Sequence, residues 1–136
     1  MTIVHRSKVR FGDVDPAGIV FYPRFFEMLN AAVEDWFSDF IGVDFATLHL
    51  ERRIGVPTVR VESDFLAPCR LGEQIDIDLE VEELGRSSAK LRYTFFVNGE
   101  PRVKGRSVLV CMSLESYRPV SWPAEIRSRM QPSKAA

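Results

Sequence analysis

Two aspartates lie two residues apart in the turn-forming segment 13–18, DVDPAG, and a carboxylate held in a turn can act as a nucleophile or a general base. Pro16 disfavours a helical backbone at the preceding residue, so we expect Asp15 in extended or turn geometry, with its side chain presented rather than packed. Asp13 has a simpler interpretation, because aspartates in turns commonly accept hydrogen bonds from the nearby backbone. Gly18 would let the chain approach a ligand closely.

This segment leads into the only long helical pattern of the chain, which begins near Pro23. Proline suits the first turn of a helix because an amide there has no acceptor within the helix. Apolar residues at helical spacing cover most of the circumference as far as Phe40. Only Glu27, Asn30 and Glu34 align as a narrow polar line. Other apolar elements must therefore wrap this helix.

The rest of the chain alternates between apolar and polar residues, as β-strands do. The predicted strands cover roughly residues 3–11, 54–66, 73–82, 89–97 and 102–114. Asn98-Gly99 is a strong two-residue signal for a hairpin turn. One early helix followed by consecutive antiparallel strands predicts an α+β domain, in which a sheet closes on one helix.

Length and charge narrow the class of protein. The chain has 136 residues, 46% of them hydrophobic, which predicts one domain over residues 1–136, with a flexible tail over about 124–136. The 18 basic residues nearly balance the 19 acidic ones, which argues against a nucleic-acid surface or a polybasic membrane patch. The N-terminus lacks the pattern of a signal peptide, and no segment is long and apolar enough to span a bilayer, so we expect a cytoplasmic protein.

The two cysteines, Cys69 and Cys111, lie far apart in sequence. Neither belongs to a CxxC pair, and no histidine cluster lies near them, so neither a disulfide framework nor a zinc site is indicated. The sequence predicts two buried thiols and no metal site.

Residues 11–23, FGDVDPAGIVFYP, resemble the signature of the hotdog-fold acyl-CoA thioesterases, of the 4-hydroxybenzoyl-CoA thioesterase type. The likeness is contiguous over this segment and leads into the long helix. It implies the hotdog fold, a long central helix wrapped by a curled antiparallel sheet of about five strands, with active sites at a subunit interface. It also implies a homodimer at minimum and often a homotetramer. Sheet edges that need cover independently favour such assembly.

The resemblance also implies roles for two residues of the motif. Asp15 matches the catalytic aspartate of the family, which acts as nucleophile or general base. Tyr22 matches the position whose backbone amide polarises the thioester carbonyl. Backbone amides around Phe21 and Tyr22 suit that task because the start of a helix leaves amides without helical acceptors and carries a positive dipole.

Further positions follow from the resemblance for the two ends of the substrate. Asn30 falls where the 4-hydroxybenzoyl enzyme has an aspartate that contacts the ring hydroxyl, and an amide can hydrogen-bond a phenol without accepting as an anion. Arg86 lies in a hairpin turn where that enzyme carries several basic residues, so it is the candidate for a phosphate of coenzyme A. Ser87 beside it would add a hydroxyl contact.

The leading hypothesis is therefore an acyl-CoA thioesterase that uses water and no cofactor. Its acyl group is left open between an aromatic one, 4-hydroxybenzoyl-like or benzoyl-like, and a short or medium aliphatic chain. One alternative is a hotdog dehydratase or hydratase, which typically pairs a histidine with a carboxylate, although neither His5 nor His49 lies in a suitable motif. Another is a non-catalytic acyl-thioester-binding protein, which would not need Asp15.

Overall fold

The central element of the protein is a long helix, as seen in a computed structural model that describes residues 2–132. Helix α1 (Pro23–Trp36) begins at the predicted proline, and a π-helical turn, Phe37–Ile41, extends it to Gly42. Gly42 ends the helical segment in the left-handed conformation, with φ of 90°. The buried residues of α1 are Phe25, Met28, Leu29, Ala32, Val33 and Trp36.

A five-stranded antiparallel sheet packs against this helix, in the order β1-β4-β5-β6-β3. Its strands are β1 (Ile3–Lys8), β3 (Thr58–Phe65), β4 (Gln74–Leu84), β5 (Ser88–Val97) and β6 (Glu100–Val110). Two short strands, β2 (Ile54–Gly55) and β7 (Met112–Ser113), pair separately. One early helix and five antiparallel strands confirm the predicted α+β architecture.

Strand β3 forms one edge of the sheet, and nearly all of its eight residues are exposed to solvent. All its residues are exposed except Ser63, which is half-buried. Its apolar residues Val59, Val61 and Phe65 are among the exposed ones. An apolar strand edge of this kind offers unpaired backbone groups to another chain.

Two predicted element boundaries are wrong. The first strand stops at Lys8, and the chain turns through a 3₁₀ segment, Phe11–Asp13, which leaves Phe11 84% exposed. The frayed tail predicted from residue 124 begins instead with helix α2 (Ala124–Arg129). Ile126 and Met130 lie one helical turn apart and are fully buried, so they anchor this helix to the core. The rest of the predicted tail, residues 133–136, lies outside the described residues.

Cys69 and Cys111 are both free and buried, as predicted. Burial raises the pKa of each thiol to about 11. Within residues 2–132, no three His, Cys, Asp or Glu side chains converge to hold a metal ion. The same span contains no helix of the length and apolar character that crossing a membrane requires.

Candidate active site

Asp15 lies in a tight turn that two backbone hydrogen bonds close. The amide of Asp15 donates to the carbonyl of Ile19, and the amide of Gly18 donates to the carbonyl of Asp15, both over 2.9 Å. The carboxylate Oδ1 of Asp15 accepts from the Ala17 amide at 2.8 Å. The side chain is half-buried. Asp15 therefore has the turn geometry that the following proline predicts, and the bond from Ala17 orients its carboxylate.

Gly18 has a local reason to be glycine. Its φ is +79°, in the left-handed region that side chains disfavour, whereas a Cβ there would meet no atom within 4 Å. The backbone conformation of the turn therefore requires glycine in this chain. Its predicted contact with a ligand stays a prediction.

Asp13 stabilises the same segment by accepting two backbone hydrogen bonds. Its carboxylate Oδ2 accepts from the Arg10 amide at 2.9 Å, and its carbonyl accepts from the Phe21 amide at 2.9 Å. This is the structural role that aspartates in turns commonly take. The Phe21 amide is therefore already bonded and is not a free donor, contrary to the prediction that included it.

Tyr22 stands immediately before helix α1 and has helical geometry, with φ of −51° and ψ of −34°. Among residues 2–132, no atom accepts a hydrogen bond from its amide. The next residue, Pro23, has no amide hydrogen. The Tyr22 amide is thus an unused donor at the positive end of the helix dipole.

An aromatic cluster lies beside this amide, formed by Phe21, Tyr22, Phe25, Phe26 and Phe65. The rings of Phe21, Tyr22 and Phe65 are exposed, whereas Phe26 is half-buried and Phe25 is buried. The ring of Phe65 on strand β3 lies 6.2 Å from that of Tyr22, 5.7 Å from that of Phe25 and 6.5 Å from that of Phe26. Tyr22 is 59% exposed and Phe65 is 48% exposed. Large apolar side chains that are exposed next to one another, as Tyr22 and Phe65 are here, are typical of a binding surface.

The segment between β3 and β4 holds the Asp15 turn in place. The Leu71 amide donates to the Gly18 carbonyl at 3.0 Å, and the Val20 amide donates to the Cys69 carbonyl at 2.8 Å. These bonds join the turn to the rim of the sheet, just before β4 begins.

An ion pair braces that segment in turn. Arg102 on β6 donates to both carboxylate oxygens of Glu73, at 3.2 and 3.4 Å, and to the Pro68 carbonyl at 2.6 Å. Its side chain is only 12% exposed. The Arg70 amide also donates to Glu73, and this bond, followed by the contact with Arg102, lowers the pKa of the Glu73 carboxyl. No local sequence pattern indicates this pair, because Glu73 precedes β4 and Arg102 lies on β6, 29 residues later.

Asn30 lies on the exposed face of α1, about 12 Å along the helix axis from Tyr22. Phe26, one of the aromatic cluster, precedes it by one helical turn, so Asn30 is a neighbour of the cluster on the same side of the helix. Glu27 and Glu34 are exposed as well, as the predicted polar line requires.

The structure does not bring Arg86 and Ser87 together with Asp15 within one chain. Both follow the end of β4, whereas the Asp15 turn is bonded to residues just before its start. Strand β4 has eleven residues, so its two ends are roughly 35 Å apart. Arg86 is exposed and donates from Nη1 to the Ser121 hydroxyl at 2.9 Å.

The two histidines lie outside this site. His5 contacts Asp35 through Nδ1 at 2.6 Å, and Asp35 is near the far end of α1, about 20 Å along the helix axis from Tyr22. His49 contacts the Phe45 carbonyl through Nδ1 at 2.9 Å within its own helical turn. Neither contacts the Asp15 turn.

The fold belongs to one class of enzymes. The sequence model of the thioesterase-like superfamily matches residues 9–130. The chain belongs to this superfamily, and it is a thioester hydrolase with the hotdog fold. Its resemblance to the hotdog thioesterases is thereby confirmed.

Individual relatives support the same class. The chain is 23% identical to the 1,4-dihydroxy-2-naphthoyl-CoA hydrolase of Synechococcus elongatus over 124 residues, 90% of each chain. A gentisyl-coenzyme A thioesterase structure superposes with a TM-score of 0.82 at 26% identity, covering 90% of this chain and 98% of the other. A Thermus thermophilus thioesterase complexed with coenzyme A and zinc is 34% identical, with a TM-score of 0.76, over 93% and 89% of the two chains.

Proposed function

We propose that this enzyme hydrolyses an aromatic acyl-CoA thioester to the free acid and coenzyme A. One observation carries the proposal: the Asp15 carboxylate, the unused Tyr22 amide and the partly exposed aromatic cluster belong to one turn-to-helix segment and the strand that it contacts. A base or nucleophile, an oxyanion donor and an apolar surface are the three components that such a reaction needs.

The Tyr22 amide donates to the thioester carbonyl oxygen in this proposal. Negative charge grows on that oxygen as the carbonyl carbon is attacked, and the positive end of α1 stabilises it further. Losing one such donor typically costs on the order of 3 kcal/mol of transition-state stabilisation. The Phe21 amide takes no part because the Asp13 carbonyl already accepts from it.

Asp15 supplies the base or the nucleophile. As a base, its carboxylate takes a proton from water while the water oxygen bonds to the carbonyl carbon, and the C–S bond then breaks to release the coenzyme A thiolate. As a nucleophile, the carboxylate itself displaces the thiolate, and water hydrolyses the resulting anhydride. Both routes balance with water alone, so the proposal assigns no step to a metal or redox cofactor.

The aromatic cluster favours an aromatic acyl group over an aliphatic chain, because rings stack edge to face at the spacing seen among its members. The named substrates of two relatives, gentisyl-CoA and 1,4-dihydroxy-2-naphthoyl-CoA, share one chemical pattern. Each has two hydroxyls para to one another, one of them ortho to the thioester carbonyl. We therefore place a hydroxylated aromatic acyl group first among the candidates, with Asn30 near its ring.

We further propose a homodimer at minimum, and a homotetramer as the assembly in which coenzyme A is bound. The open apolar edge of β3 supports pairing with a second copy. The separation of Arg86 and Ser87 from Asp15 favours a coenzyme A site shared between subunits, with these two residues on its phosphates. Gly18 lies in the turn that the thioester would approach.

Steady-state hydrolysis of an acyl-CoA panel tests this proposal, with release of free thiol as the signal. The panel holds gentisyl-, 1,4-dihydroxy-2-naphthoyl-, 4-hydroxybenzoyl- and benzoyl-CoA beside aliphatic chains of increasing length. We expect the aromatic thioesters to have the highest kcat/KM. Faster turnover of an aliphatic chain than of every aromatic ester would contradict the assignment of the acyl group.

A further inference from the structure

A short row of hydroxyl groups crosses the inward face of the sheet toward its open edge. Tyr93 on β5 pairs with Gly105 on β6, and Gly105 pairs with Ser63 on β3. The Tyr93 hydroxyl donates to the Glu62 carbonyl at 3.0 Å and also forms a hydrogen bond with the Ser63 hydroxyl. A buried residue of the core thus reaches across one strand to the edge strand.

Gly105 makes this reach possible. A Cβ at this position would overlap both the Tyr93 hydroxyl and the Glu62 carbonyl oxygen. Its φ is not positive, so the need for glycine here is one of space rather than of backbone conformation. The contact between Tyr93 and Ser63 is therefore built into the sheet.

The positions of the hydroxyl protons along this row leave the Ser63 oxygen free to accept a further hydrogen bond. Tyr93 has one hydroxyl proton, which it donates to the Glu62 carbonyl. The proton between the two hydroxyls must then come from Ser63. Burial raises the pKa of the Tyr93 hydroxyl, so Tyr93 keeps its proton at neutral pH. The Ser63 oxygen retains a lone pair for a further donor.

That lone pair belongs to a residue next to the aromatic cluster. Ser63 precedes Phe65 by two residues, so both side chains are on the same face of β3. The Phe65 ring contacts those of Tyr22 and Phe26, beside the unused Tyr22 amide. Ser63 is also the one half-buried residue of an otherwise exposed strand.

We propose that Ser63 accepts a hydrogen bond from a hydroxyl on the acyl ring and makes the enzyme selective for hydroxylated aromatic acyl groups. Tyr93 acts behind it as a positioning residue, which fixes the Ser63 proton. Ring hydroxyl, Ser63 and Tyr93 then donate in one direction, ending at the Glu62 carbonyl, and such chains strengthen each member. This inference rests on the proposed function and deepens it.

The physical basis of selectivity is the cost of an unpaired acceptor. A ring without a hydroxyl would cover the Ser63 oxygen and leave its lone pair without a donor, which a buried polar group tolerates poorly. Sites built to hydrogen-bond a substrate hydroxyl reject analogues lacking it for the same reason. Asn30 is the competing residue for that hydroxyl, so the test must separate the two.

The test measures kcat/KM for benzoyl-CoA and for its 2-hydroxy, 3-hydroxy, 4-hydroxy and 2,5-dihydroxy derivatives. We expect wild type to prefer its best hydroxylated substrate over benzoyl-CoA by about tenfold or more. Ser63→Ala should reduce that preference to within about threefold, because the hydroxylated ester loses its partner and benzoyl-CoA no longer covers an unpaired Ser63 oxygen. Ser63→Thr keeps the hydroxyl and should keep the preference.

Two further variants separate this role from a structural one. Tyr93→Phe should reduce the preference in part, because Ser63 then loses the acceptor that orients its proton. Ser107→Ala is the matched control: its hydroxyl lies on the inward side of β6, buried and without a partner among the described residues. Its removal should leave the preference unchanged.

Several results would overturn the inference. If Ser63→Ala lowers kcat/KM equally for the hydroxylated ester and for benzoyl-CoA, Ser63 has a purely structural role. If it lowers kcat/KM for neither, Ser63 has no role in the reaction. If Asn30→Ala alone abolishes the preference, Asn30 rather than Ser63 is the hydrogen-bond partner of the ring hydroxyl. Wild type that cleaves benzoyl-CoA without preferring any hydroxylated ester contradicts this inference and the ranking of hydroxylated rings, but not the hydrolysis of aromatic esters. Wild type that cleaves no aromatic ester contradicts the proposed function itself.

Discussion

The amide of Phe21 donates a hydrogen bond to the carbonyl of Asp13 over 2.9 Å. This bond ties the start of the long helix to the turn that carries Asp15, and it uses the first amide of the helix start. Tyr22 is consequently the first residue there with an unused amide. The bond that shapes the turn therefore also leaves the Tyr22 amide as the donor that we propose for the oxyanion.

Removing the Tyr22 amide without removing its backbone conformation tests that selection. Tyr22 has φ of −51°, which proline can adopt, so Tyr22→Pro deletes the donor with little change in geometry. We expect kcat to fall by roughly two to three orders of magnitude. Tyr22→Ala is the control, since it removes the ring and keeps the amide. A Tyr22→Pro enzyme no slower than Tyr22→Ala would exclude this amide as the donor.

The Arg102–Glu73 pair should stabilise the Asp15 turn without contacting Asp15. Arg102→Ala leaves the Pro68 carbonyl without a donor and the Glu73 carboxylate with the Arg70 amide alone, so we expect a loss of about 1–3 kcal/mol in the free energy of unfolding. Because the 68–73 segment bonds to the Asp15 turn, kcat should fall as well. Urea unfolding and steady-state kinetics measure the two effects, and Arg92→Ala on the outer face is the control for loss of a more exposed ion pair.

The same pair predicts a pH dependence. The pKa of Glu73 is lowered in the folded protein, first by the Arg70 amide and then by Arg102. A lowered folded pKa adds stability above the unfolded pKa of the group, and this is lost as pH falls through the folded value. Glu73→Gln should therefore be less stable than wild type at pH 7, with a gap that narrows below about pH 4. A gap that is constant from pH 7 to pH 3 would contradict the assignment.

Both thiols should be inert in the native protein. Their pKa values of about 11 and their burial leave little thiolate at pH 8. A colorimetric thiol reagent should therefore report neither cysteine before denaturation and both afterwards. Rapid modification of one cysteine in the folded protein would contradict the described burial.

If the exposed edge of β3 is the interface between subunits, a charge placed on it should weaken assembly. Val61→Asp places a carboxylate on the apolar edge, so we expect a smaller species by light scattering after size-exclusion chromatography. Leu50→Asp is the control, because Leu50 is at least as exposed but lies in the helical turn after α1. An unchanged mass for Val61→Asp would exclude this edge as the interface.

Local patterns in the sequence were sufficient to predict the turn, the start of α1 and the antiparallel strands. The site beyond the turn depends on contacts between distant residues, which no local pattern reports. Phe65 looked like any alternating strand residue, and its contact with Tyr22 arises only when β3 meets α1. The Ser63–Tyr93 bond likewise depends on the register of three strands. Helix α2 was missed because its two anchoring residues lie in a short, polar segment.

The central claim is that Asp15 performs the chemistry, and Asp15→Asn tests it most directly. The amide is nearly the same size and can still accept from the Ala17 amide, so the turn should persist while the base or nucleophile is lost. Asp13→Asn is the matched control in the same turn. With the best aromatic acyl-CoA, we expect kcat to fall by a factor of about a hundred or more for Asp15→Asn, and by only a few-fold for Asp13→Asn. A folded Asp15→Asn enzyme that retains most of its turnover would contradict the account.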